Sequence, residues 1–256
     1  MVRGPVRAVI FDLGSTLIYE KDAWEAYFPR ADAELWRALH EAGVSLQPHD
    51  LYGNASTLFE LYYTRHRNDL NEPTMVRVLA ELLHERGFSL PGDTLREAMR
   101  AMFAVTQSNW FPEEESLPTL RQLRERGLEV GLISNASDDD NTQALVDKGG
   151  FRPYLEFILS SATIGKRKPH PEIFKEALNR LKVPPRQAIM VGDDYEADIV
   201  GANRAGIQSI WITRRVRGTG LENAGKEASA VVSSLAEIPP LLTDAQGARF
   251  DPRSPA

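Results

Sequence analysis

Hydrophobic and polar positions follow different periods in different parts of the chain. Residues 8–11 form an uninterrupted apolar run, which is typical of a strand buried on both faces of a sheet. Residues 20–112 have apolar positions at helical spacing and no convincing strand. From residue 113 to 242, short apolar runs alternate with helical patterns. This succession predicts an α/β fold, a parallel, doubly wound sheet whose first strand is followed by a helical insertion.

The apolar pattern of residues 20–112 predicts four amphipathic helices. Their apolar positions are Trp24, Tyr27, Phe28, Ala31, Leu35 and Leu39 in the first, Leu51, Ala55, Leu58, Phe59 and Tyr62 in the second, Val76, Leu79 and Leu83 in the third, and Leu95, Ala98, Met99, Met102 and Phe103 in the fourth. Gly43 and Gly87 follow the first and third helices as stop signals. Because each apolar stripe has to be buried against another helix, we expect a four-helix cap domain over residues 20–112.

The other elements alternate as a doubly wound sheet requires. We predict strands at residues 128–133, 157–159, 188–191, 209–212 and, at the edge, 230–232. Helices are predicted at residues 117–126, 141–148, 171–181, 196–205 and in a short segment up to 242. Residues 1–19 and 113–242 then form the core domain. Residues 243–256 are polar, contain prolines and show no periodicity, so we expect a flexible tail.

The composition narrows the possible functions. A chain of 256 residues is long enough for one large domain or for a core with an insertion. The formal net charge of −6 argues against a nucleic-acid partner, and the absence of cysteine excludes disulfides, thiolate nucleophiles and thiolate metal sites. No apolar stretch approaches the roughly 20 residues that span a bilayer, and the N-terminus lacks the apolar region of a signal peptide. We therefore expect a cytoplasmic protein without a membrane partner.

Three predicted strands end in polar side chains. Asp12 follows the first strand, Ser134 and Asn135 follow the strand at 128–133, and Asp193 and Asp194 follow the strand at 188–191. In an open α/β sheet, ligands bind beyond the carboxyl ends of the strands, so these side chains should converge. Carboxylates gathered around one point repel each other unless a cation lies between them, and oxygen ligands favour Mg²⁺. A nearby hydroxyl, amide and lysine suit a phosphoryl group bound to that metal.

The motifs around these residues resemble those of the haloacid dehalogenase superfamily of aspartate-nucleophile hydrolases. The matching segments are Phe11-Asp12-Leu13-Gly14-Ser15-Thr16 for the first motif, Leu132-Ile133-Ser134-Asn135 for the second, Gly165-Lys166-Arg167-Lys168-Pro169 for the third, and Gly192-Asp193 through Asp198, before Gly201-Ala202, for the fourth. The resemblance extends from residue 8 to about residue 213. It implies a Rossmann-like core with a helical cap inserted after the first strand, and a Mg²⁺-dependent hydrolase of a small phosphorylated substrate.

The resemblance also implies how the reaction proceeds. Asp12 is expected to attack phosphorus and form an aspartyl-phosphate, which water then hydrolyses. Asp12, the backbone carbonyl of Gly14 and Asp193 are expected to hold Mg²⁺. The cation would reduce the repulsion between the nucleophile and the phosphate, and would keep Asp12 ionised. Thr16 belongs to the first motif and is expected to support this group.

The second and third motifs imply a binding site for the phosphoryl oxygens. Ser134 is expected to donate a hydrogen bond to them, together with Asn135, and Lys168 to place a positive charge beside them. The fourth motif contributes Asp198, which either orients Lys168 or supports the metal ligands from behind. Lys168 is therefore the lysine of the basic run to which the resemblance assigns a catalytic role.

Some of these positions have a structural alternative. Ser134 could instead cap the following helix, and Asp194 either supports the site or caps the helix after it. The run Asp138-Asp139-Asp140 is typical of a solvated helix start with an N-cap, and we assign it no catalytic role. Lys166 and Arg167 fit a solvated basic loop better than Lys168 does.

The first motif departs from the family pattern at Gly14, and Ser15 stands where a glycine is usual. Phosphatases of the family carry a second aspartate at position 14, which protonates the leaving oxygen and then activates water. Positioned general acids contribute on the order of 10²–10⁴-fold, so esters with poor leaving groups should react slowly. Phosphonate hydrolases and 2-haloacid dehalogenases of the superfamily also lack this aspartate. The former need a cap lysine, for which only Lys21 is present, and the latter lack a carboxylate equivalent to Asp193.

The sequence therefore predicts a phosphatase that uses Mg²⁺ and an aspartyl-phosphate. Two alternatives remain open, a 2-haloacid dehalogenase and a non-catalytic member that binds a phosphorylated ligand or a protein. We expect the cap to close over the substrate, with hinges near residues 19–21 and 109–113, in a monomer or homodimer. Trp24, Tyr27 and residues 65–67 are candidates for substrate contact, although aromatic residues at helical spacing more often belong to a core.

Overall fold

Parallel strands form the centre of the molecule. The structure, a computed structural model, describes residue 2 and residues 4–66, 68–216 and 227–242 of the chain. Its strands, in chain order, are β1 (Ala8–Phe11), β2 (Ile18–Glu20), β3 (Trp110–Pro112), β4 (Glu129–Ser134), β5 (Phe157–Ser160), β6 (Ala188–Gly192), β7 (Gln208–Ile212) and β8 (Ala230–Val232). Six strands of the described residues form one parallel sheet in the order β5-β4-β1-β6-β7-β8. The predicted parallel sheet is confirmed.

β1 lies in the middle of this sheet, between β4 and β6. Phe11 pairs with Leu132 of β4 on one side and with Val191 of β6 on the other. Every residue of β1 is fully buried, with Val9 and Phe11 packed on one face of the sheet and Ile10 on the other. A strand covered on both faces has no polar position, which is why its sequence is an unbroken apolar run.

Helices cover both faces of the sheet. In chain order they are α1 (Trp24–Glu41), α2 (Pro48–Tyr52), α3 (Leu58–His66), α4 (Met75–His84), α5 (Gly92–Gln107), α6 (Ser116–Glu125), α7 (Asp139–Gly149), α8 (Ser161–Ile164), α9 (Pro171–Leu181), α10 (Gly201–Arg204) and α11 (Ile238–Leu241). Shorter 3₁₀ turns lie at Arg152–Tyr154, Pro185–Gln187 and Leu235–Glu237. Apolar residues of α6, α7 and α11 pack on one face of the sheet, and those of α9 and α10 pack on the other. This is the doubly wound arrangement that alternating strands and helices predict.

Helices α1 to α5 have an apolar core of their own. That cluster draws residues from all five helices and none from the parallel sheet. The second predicted helix is divided in the structure, because α2 ends at Tyr52 and α3 begins at Leu58, with Gly53 at a φ of 64° after α2. The buried carboxylate of Asp32 joins both sides of this break. It accepts hydrogen bonds from the Tyr52 hydroxyl at 3.1 Å and from the Leu58 N–H at 3.3 Å.

β2 and β3 form a two-stranded antiparallel ladder where the chain enters and leaves these five helices. Ile18 pairs with Pro112, and Glu20 pairs with Trp110. The expectation of no strand within residues 20–112 is therefore wrong at Trp110–Pro112. Each strand has only three residues, too few for an alternating pattern to be recognised, and its partner lies at the far end of the insertion. The predicted hinges at residues 19–21 and 109–113 overlap this ladder.

The C-terminal elements agree with the predicted order. The helix predicted over residues 196–205 consists of a π-helical turn, Tyr195–Val200, followed by α10. β8 and α11 are the predicted edge strand and final short helix. The predicted tail at residues 243–256 lies outside the described residues. None of the helices in the described part of the chain is long and apolar enough to cross a membrane.

Candidate active site

Side chains from three strand ends converge at one edge of the sheet. Asp12 follows β1, Ser134 ends β4, and Asp193 follows β6. The chain order of the sheet runs in opposite directions on the two sides of β1, and ligands of such folds bind in the crevice at this switch point. A cavity of about 340 Å³ lies here and is lined by all three residues. The structure thus brings together the polar strand ends singled out in the sequence.

The ammonium group of Lys168 lies at the centre of this cluster. It donates hydrogen bonds to Asp12 Oδ1 at 2.6 Å, to Asp198 Oδ1 at 2.7 Å and to the carbonyl of Ile133 at 3.1 Å. Burial alone would lower the pKa of Lys168, but the carboxylates of Asp12 and Asp198 outweigh this effect and raise it above its usual value. Lys168 is therefore a buried, permanently charged group beside Asp12.

The backbone of Lys168 is held by the side chain of Asn135. The Lys168 N–H donates to Asn135 Oδ1 at 2.7 Å, and Asn135 Nδ2 donates to the Lys168 carbonyl at 3.0 Å. Two hydrogen bonds to one residue fix both the position and the orientation of its backbone. Asn135 positions Lys168 in this way, and its amide keeps a second N–H for another acceptor.

Asp198 lies behind Lys168 in the π-helical turn, a type of distortion that is frequent at functional sites. Its Oδ1 accepts from Lys168, and its Oδ2 accepts from the backbone N–H of Asp194 at 3.1 Å. A Cβ at Gly192 would lie 2.1 Å from Asp198 Oδ2, so this position has to be glycine for the carboxylate to reach the lysine. Two roles are expected for Asp198, and its contacts agree with the first, in which it orients Lys168.

Two carboxylates near the site are helix caps. Asp194 Oδ1 accepts from the Ala197 N–H at 2.9 Å, and Asp138 Oδ1 accepts from the Asn141 N–H at 2.8 Å at the start of α7. The prediction of an N-cap within the acidic run at 138–140 is confirmed. Because Asp138 caps α7, the alternative of Ser134 as the cap of this helix is excluded, and Ser134 lines the cavity.

The carboxylates of Asp12, Asp193 and Asp198 form a group suited to a hard cation. One oxygen from each lies within 4.8 Å of the others. Burial, together with the charges of Asp12 and Asp198, raises the pKa of Asp193 to about 8. One ammonium group cannot balance three carboxylates, so a divalent cation would complete the charge balance. Since every donor is an oxygen, the set fits Mg²⁺.

The loop after Asp12 has two unusual positions. Ser15 has a φ of 56°, in the left-handed region that glycine adopts most readily, which agrees with the usual glycine of the family pattern. Gly14 has no positive φ, and a Cβ added there would lie 3.5 Å from Cη2 of Trp110. Thr16 is fully buried and donates from its hydroxyl to Asp193 Oδ1 at 3.4 Å. The space beside Gly14 is therefore bounded by the Trp110 indole.

Much of the remaining cavity lining is aromatic. Its aromatic lining residues are Tyr27, Phe28, Phe59, Tyr62, Tyr63, Phe103 and Trp110. The sequence offers Tyr27 as a candidate, and helical spacing assigns Phe28, Phe59, Tyr62 and Phe103 to the core of the helical insertion. No sequence pattern distinguishes Tyr63 or Trp110. Of the other candidates from the sequence, Trp24 and Arg65 do not line this cavity, and Arg67 lies outside the described residues.

An ion pair also lies at the cavity. Arg167, assigned to a solvated loop in the sequence, lines the cavity with its Nε 3.4 Å from Glu72 Oε2. Ser161 Oγ donates to the same Glu72 oxygen at 2.9 Å. Burial raises the pKa of Glu72, while Arg167 and Ser161 act in the opposite direction. The sequence held no signal for this pair, because Glu72 lies in the helical insertion and Arg167 in the core.

Backbone hydrogen bonds join the helical insertion to the core beside this ion pair. The Glu72 N–H donates to the Gly165 carbonyl and the Arg167 N–H donates to the Leu70 carbonyl, both at 3.0 Å. Further from the cavity, Arg100 of α5 pairs with Asp140 of α7 at 2.9 Å. The two halves of the cavity are therefore held against each other at more than one point.

Comparisons with known proteins agree on one family. Residues 6–206 match the family model of haloacid dehalogenase-like hydrolases. The chain is 31% identical over 212 residues to the glyceraldehyde 3-phosphate phosphatase of Methanopyrus kandleri, a match that covers 82% of this chain and 84% of that protein. It is 31% identical over 216 residues to the phosphoserine phosphatase of Thermus thermophilus, with 82% and 83% covered.

A solved structure shares the whole architecture. The 2-haloacid dehalogenase from Pseudomonas syringae pv. Tomato DC3000 superposes with a TM-score of 0.67 at 26% sequence identity. The match covers 91% of this chain and 96% of that one. The similarity to known proteins therefore includes the helical insertion as well as the sheet.

Proposed function

The chain belongs to the haloacid dehalogenase-like hydrolase family and is a phosphoric monoester hydrolase, and we propose that it acts on a small metabolite through a phosphorylated Asp12. The observation that carries this proposal is the buried 2.6 Å hydrogen bond from the Lys168 ammonium to Asp12 Oδ1. It holds a carboxylate and a positive charge together at the cavity, as attack on an anionic phosphoryl group requires. The two relatives named as phosphatases support the same reaction.

Asp12 is the nucleophile of the proposed reaction. One of its carboxylate oxygens attacks phosphorus, the bond from phosphorus to the ester oxygen breaks, and the departing alkoxide takes up a proton from solvent water, because position 14 carries no acid. Water then attacks the phosphorus of the aspartyl-phosphate, which releases inorganic phosphate and restores the carboxylate. Lys168 stabilises the negative charge on the phosphoryl oxygens in both steps.

The residues around Lys168 bind the phosphoryl group or hold the lysine in place. The Ser134 hydroxyl donates to a phosphoryl oxygen in this proposal, from its position in the cavity wall. Asn135 holds the Lys168 backbone and offers its remaining N–H to the phosphoryl group. Asp198 orients the ammonium group through its 2.7 Å hydrogen bond.

Asp12, the backbone carbonyl of Gly14 and Asp193 are the proposed ligands of Mg²⁺. The carboxylate of Asp198 lies next to this set, and Thr16 supports it through Asp193. When bound, the cation would supply the positive charge that offsets the repulsion between the carboxylates and the phosphate.

Hydrolysis of a carbon–halogen bond is the second candidate. It is favoured by Gly14, which replaces the second aspartate of the family's phosphatases, and by the similarity to a solved 2-haloacid dehalogenase. The charge of the site argues against it. A 2-halo acid is itself an anion, so in a metal-free reaction Asp193 would either repel it or have to stay protonated, as its raised pKa of about 8 allows, and the carboxyl group would then have no role in the site.

Turnover assays test the proposal. We expect hydrolysis of p-nitrophenyl phosphate with Mg²⁺, loss of activity with EDTA, and recovery when Mg²⁺ is added back. Asp12→Asn should lower kcat on the order of 10³-fold or more. Asp194→Asn is the matched control and should keep most of the activity, because asparagine caps a helix as well as aspartate does.

Three results would contradict the mechanism. Phosphatase activity that survives Asp12→Asn or EDTA would exclude the nucleophile or the metal. Release of chloride from a 2-chloro acid without Mg²⁺, and without phosphatase activity, would favour the dehalogenase. Absence of both activities would favour the non-catalytic member.

A further inference from the structure

Arg167 places a second cationic group at the cavity, paired with Glu72 and not with Asp12. Lys168 is committed to Asp12, Asp198 and the Ile133 carbonyl. The Arg167 side chain is 21% exposed and lines the same cavity. Among the described residues its guanidinium contacts Glu72 through Nε, and no hydrogen bond of its two Nη atoms is found there. These four N–H groups are therefore available to a ligand.

Glu72 holds this guanidinium from behind. The Glu72 side chain is 1% exposed, and its Oε2 is shared between Arg167 Nε and the Ser161 hydroxyl. The Glu72 backbone is also tied to the core through the Gly165 carbonyl. A buried carboxylate that is fixed at two points fixes the arginine that pairs with it, so the planar fork is preorganised and loses little freedom when it binds.

The neighbours of Arg167 limit the size and nature of the bound molecule. Tyr63 and Arg167 both line the cavity. The remaining walls carry Phe28 and Phe59, whose rings stack with centroids 4.2 Å apart. A cavity of about 340 Å³ holds a small metabolite, not a polymer.

We propose that Arg167 binds a second anionic group on the substrate, so that the preferred substrates are small phosphate monoesters whose leaving group carries a carboxylate or a second phosphate. This inference rests on the proposed phosphatase function, since Lys168 and the carboxylate cluster have to bind the reacting phosphoryl group. Carboxylates and phosphates share the oxyanion geometry that a guanidinium fork recognises through paired hydrogen bonds. Arg167 is a specificity residue in this proposal and Glu72 is its positioning residue.

A matched series of three esters tests the inference. The esters are propyl phosphate, the same ester with a terminal carboxylate, and the same ester with a second, terminal phosphate. They share the reacting group and the chain length and differ in the far end alone. We expect kcat/KM for at least one anionic ester to exceed that for propyl phosphate by about 10- to 150-fold, the range that corresponds to one hydrogen bond to a charged group. The ester that benefits identifies which oxyanion is bound.

Two variants of the same basic run separate a specific contact from general electrostatics. Arg167→Met removes the guanidinium and should bring the ratio of kcat/KM for the anionic ester to kcat/KM for the neutral ester close to one, through changes in both KM and kcat. Lys166→Met is the matched control, because Lys166 carries the same charge, does not line the cavity and bonds to Asn71. The Lys166→Met variant should keep the kcat/KM ratio of anionic to neutral ester that the parent protein shows. Arg167→Lys retains the charge without the fork and should keep part of the preference, even if the methionine variant is poorly folded.

The failure of this inference is distinguishable from failure of the proposed function. Turnover of p-nitrophenyl phosphate and propyl phosphate reports on the phosphatase site alone, and its complete absence would overturn both statements. Equal kcat/KM for all three esters, with phosphatase activity present, would overturn the role of Arg167 alone. An equal loss of preference in Lys166→Met and Arg167→Met would do the same.

Discussion

Replacing Gly14 by aspartate tests whether a missing proton donor limits the reaction. The structure leaves room for the Cβ of the new side chain, because Gly14 has no positive φ and an added Cβ would lie 3.5 Å from Cη2 of Trp110. That distance is an ordinary van der Waals contact, so the backbone needs no rearrangement. The new carboxyl group would be attached two residues after Asp12, beside the cavity.

The expected gain depends on the leaving group. A positioned general acid contributes on the order of 10²–10⁴-fold, but only where the departing oxygen needs a proton. We therefore expect Gly14→Asp to raise kcat/KM for alkyl phosphates on the order of 10²-fold. p-Nitrophenyl phosphate should change little, since p-nitrophenolate leaves without protonation.

The assay is a plot of log kcat/KM against the pKa of the leaving alcohol or phenol. The parent protein should show a steep negative slope, and the aspartate variant should show a flatter one. Gly14→Asn is the matched control, because it adds almost the same volume without an acidic proton and should leave the slope steep. The double variant Gly14→Asp/Trp110→Phe tests whether Trp110 restricts the new side chain, because phenylalanine leaves more space for the carboxyl group.

The reasoning would be refuted by a parent protein whose slope is already flat, since another group would then donate the proton. An equal gain in Gly14→Asn would refute it as well, because volume alone would explain the effect. No gain in the double variant with Trp110→Phe would show that a carboxyl group at position 14 does not reach the leaving oxygen.

Two further predictions concern buried charges. Lys168→Met should destabilise the protein by about 3–5 kcal/mol in urea unfolding, because Asp12 and Asp198 lose their common cation, and adding Asp198→Asn should restore part of this stability but none of the activity. Burial raises the pKa of the Asp32 carboxyl group in the folded protein above its value in the unfolded chain. Protonation of Asp32 therefore stabilises the folded state fully below the unfolded pKa, and this stabilisation is lost as the pH rises through the folded pKa. The amide oxygen of Asp32→Asn can accept the same hydrogen bonds but does not titrate. This variant should therefore show a flatter pH dependence of the free energy of urea unfolding, and it should be more stable than the parent at neutral pH. A variant that is less stable at every pH would contradict this.

The centre of the site was predictable because two rules of parallel sheets act on a short stretch of chain. Burial of β1 on both faces requires an apolar run, so the carboxylate of Asp12 at its end is conspicuous. The carboxyl ends of parallel strands meet at one edge, so Ser134 and Asp193 could be grouped with it without knowledge of the packing. Both inferences depend on local pattern and chain direction alone.

The other half of the cavity was not predictable, because it depends on how the helical insertion lies against the core. Tyr62 and Phe103 have the spacing of core residues and belong to the apolar core of the insertion, and they also line the cavity. Periodicity identifies the buried face of a helix but not which part of that face borders a ligand. The ladder between β2 and β3 could not be predicted for a related reason, because its pairing joins two very short segments that are distant in the sequence.

The basic run in the third motif shows what a sequence pattern can predict about individual residues and what it cannot. Its three consecutive cations have three environments: Lys166 bonds to Asn71 on the surface, Arg167 pairs with Glu72 at the cavity, and Lys168 is buried against Asp12. The resemblance to a family distinguishes Lys168, because that position carries the motif. It says nothing of Arg167, whose partner comes from the helical insertion.

In the proposed mechanism, adjacent positions in this loop serve substrate binding and catalysis. The Arg167 N–H is held by the Leu70 carbonyl of the insertion, and the Lys168 N–H is held by Asn135 of the core. Two consecutive residues of one loop thus bring cations to the same cavity, Arg167 beside Glu72 and Lys168 beside Asp12. The separation of the two charges is then set by the covalent chain and is preserved only while both backbone contacts hold. A substrate that engages both cations favours the arrangement in which insertion and core are in contact, which is how recognition of a remote anionic group would raise kcat as well as lower KM.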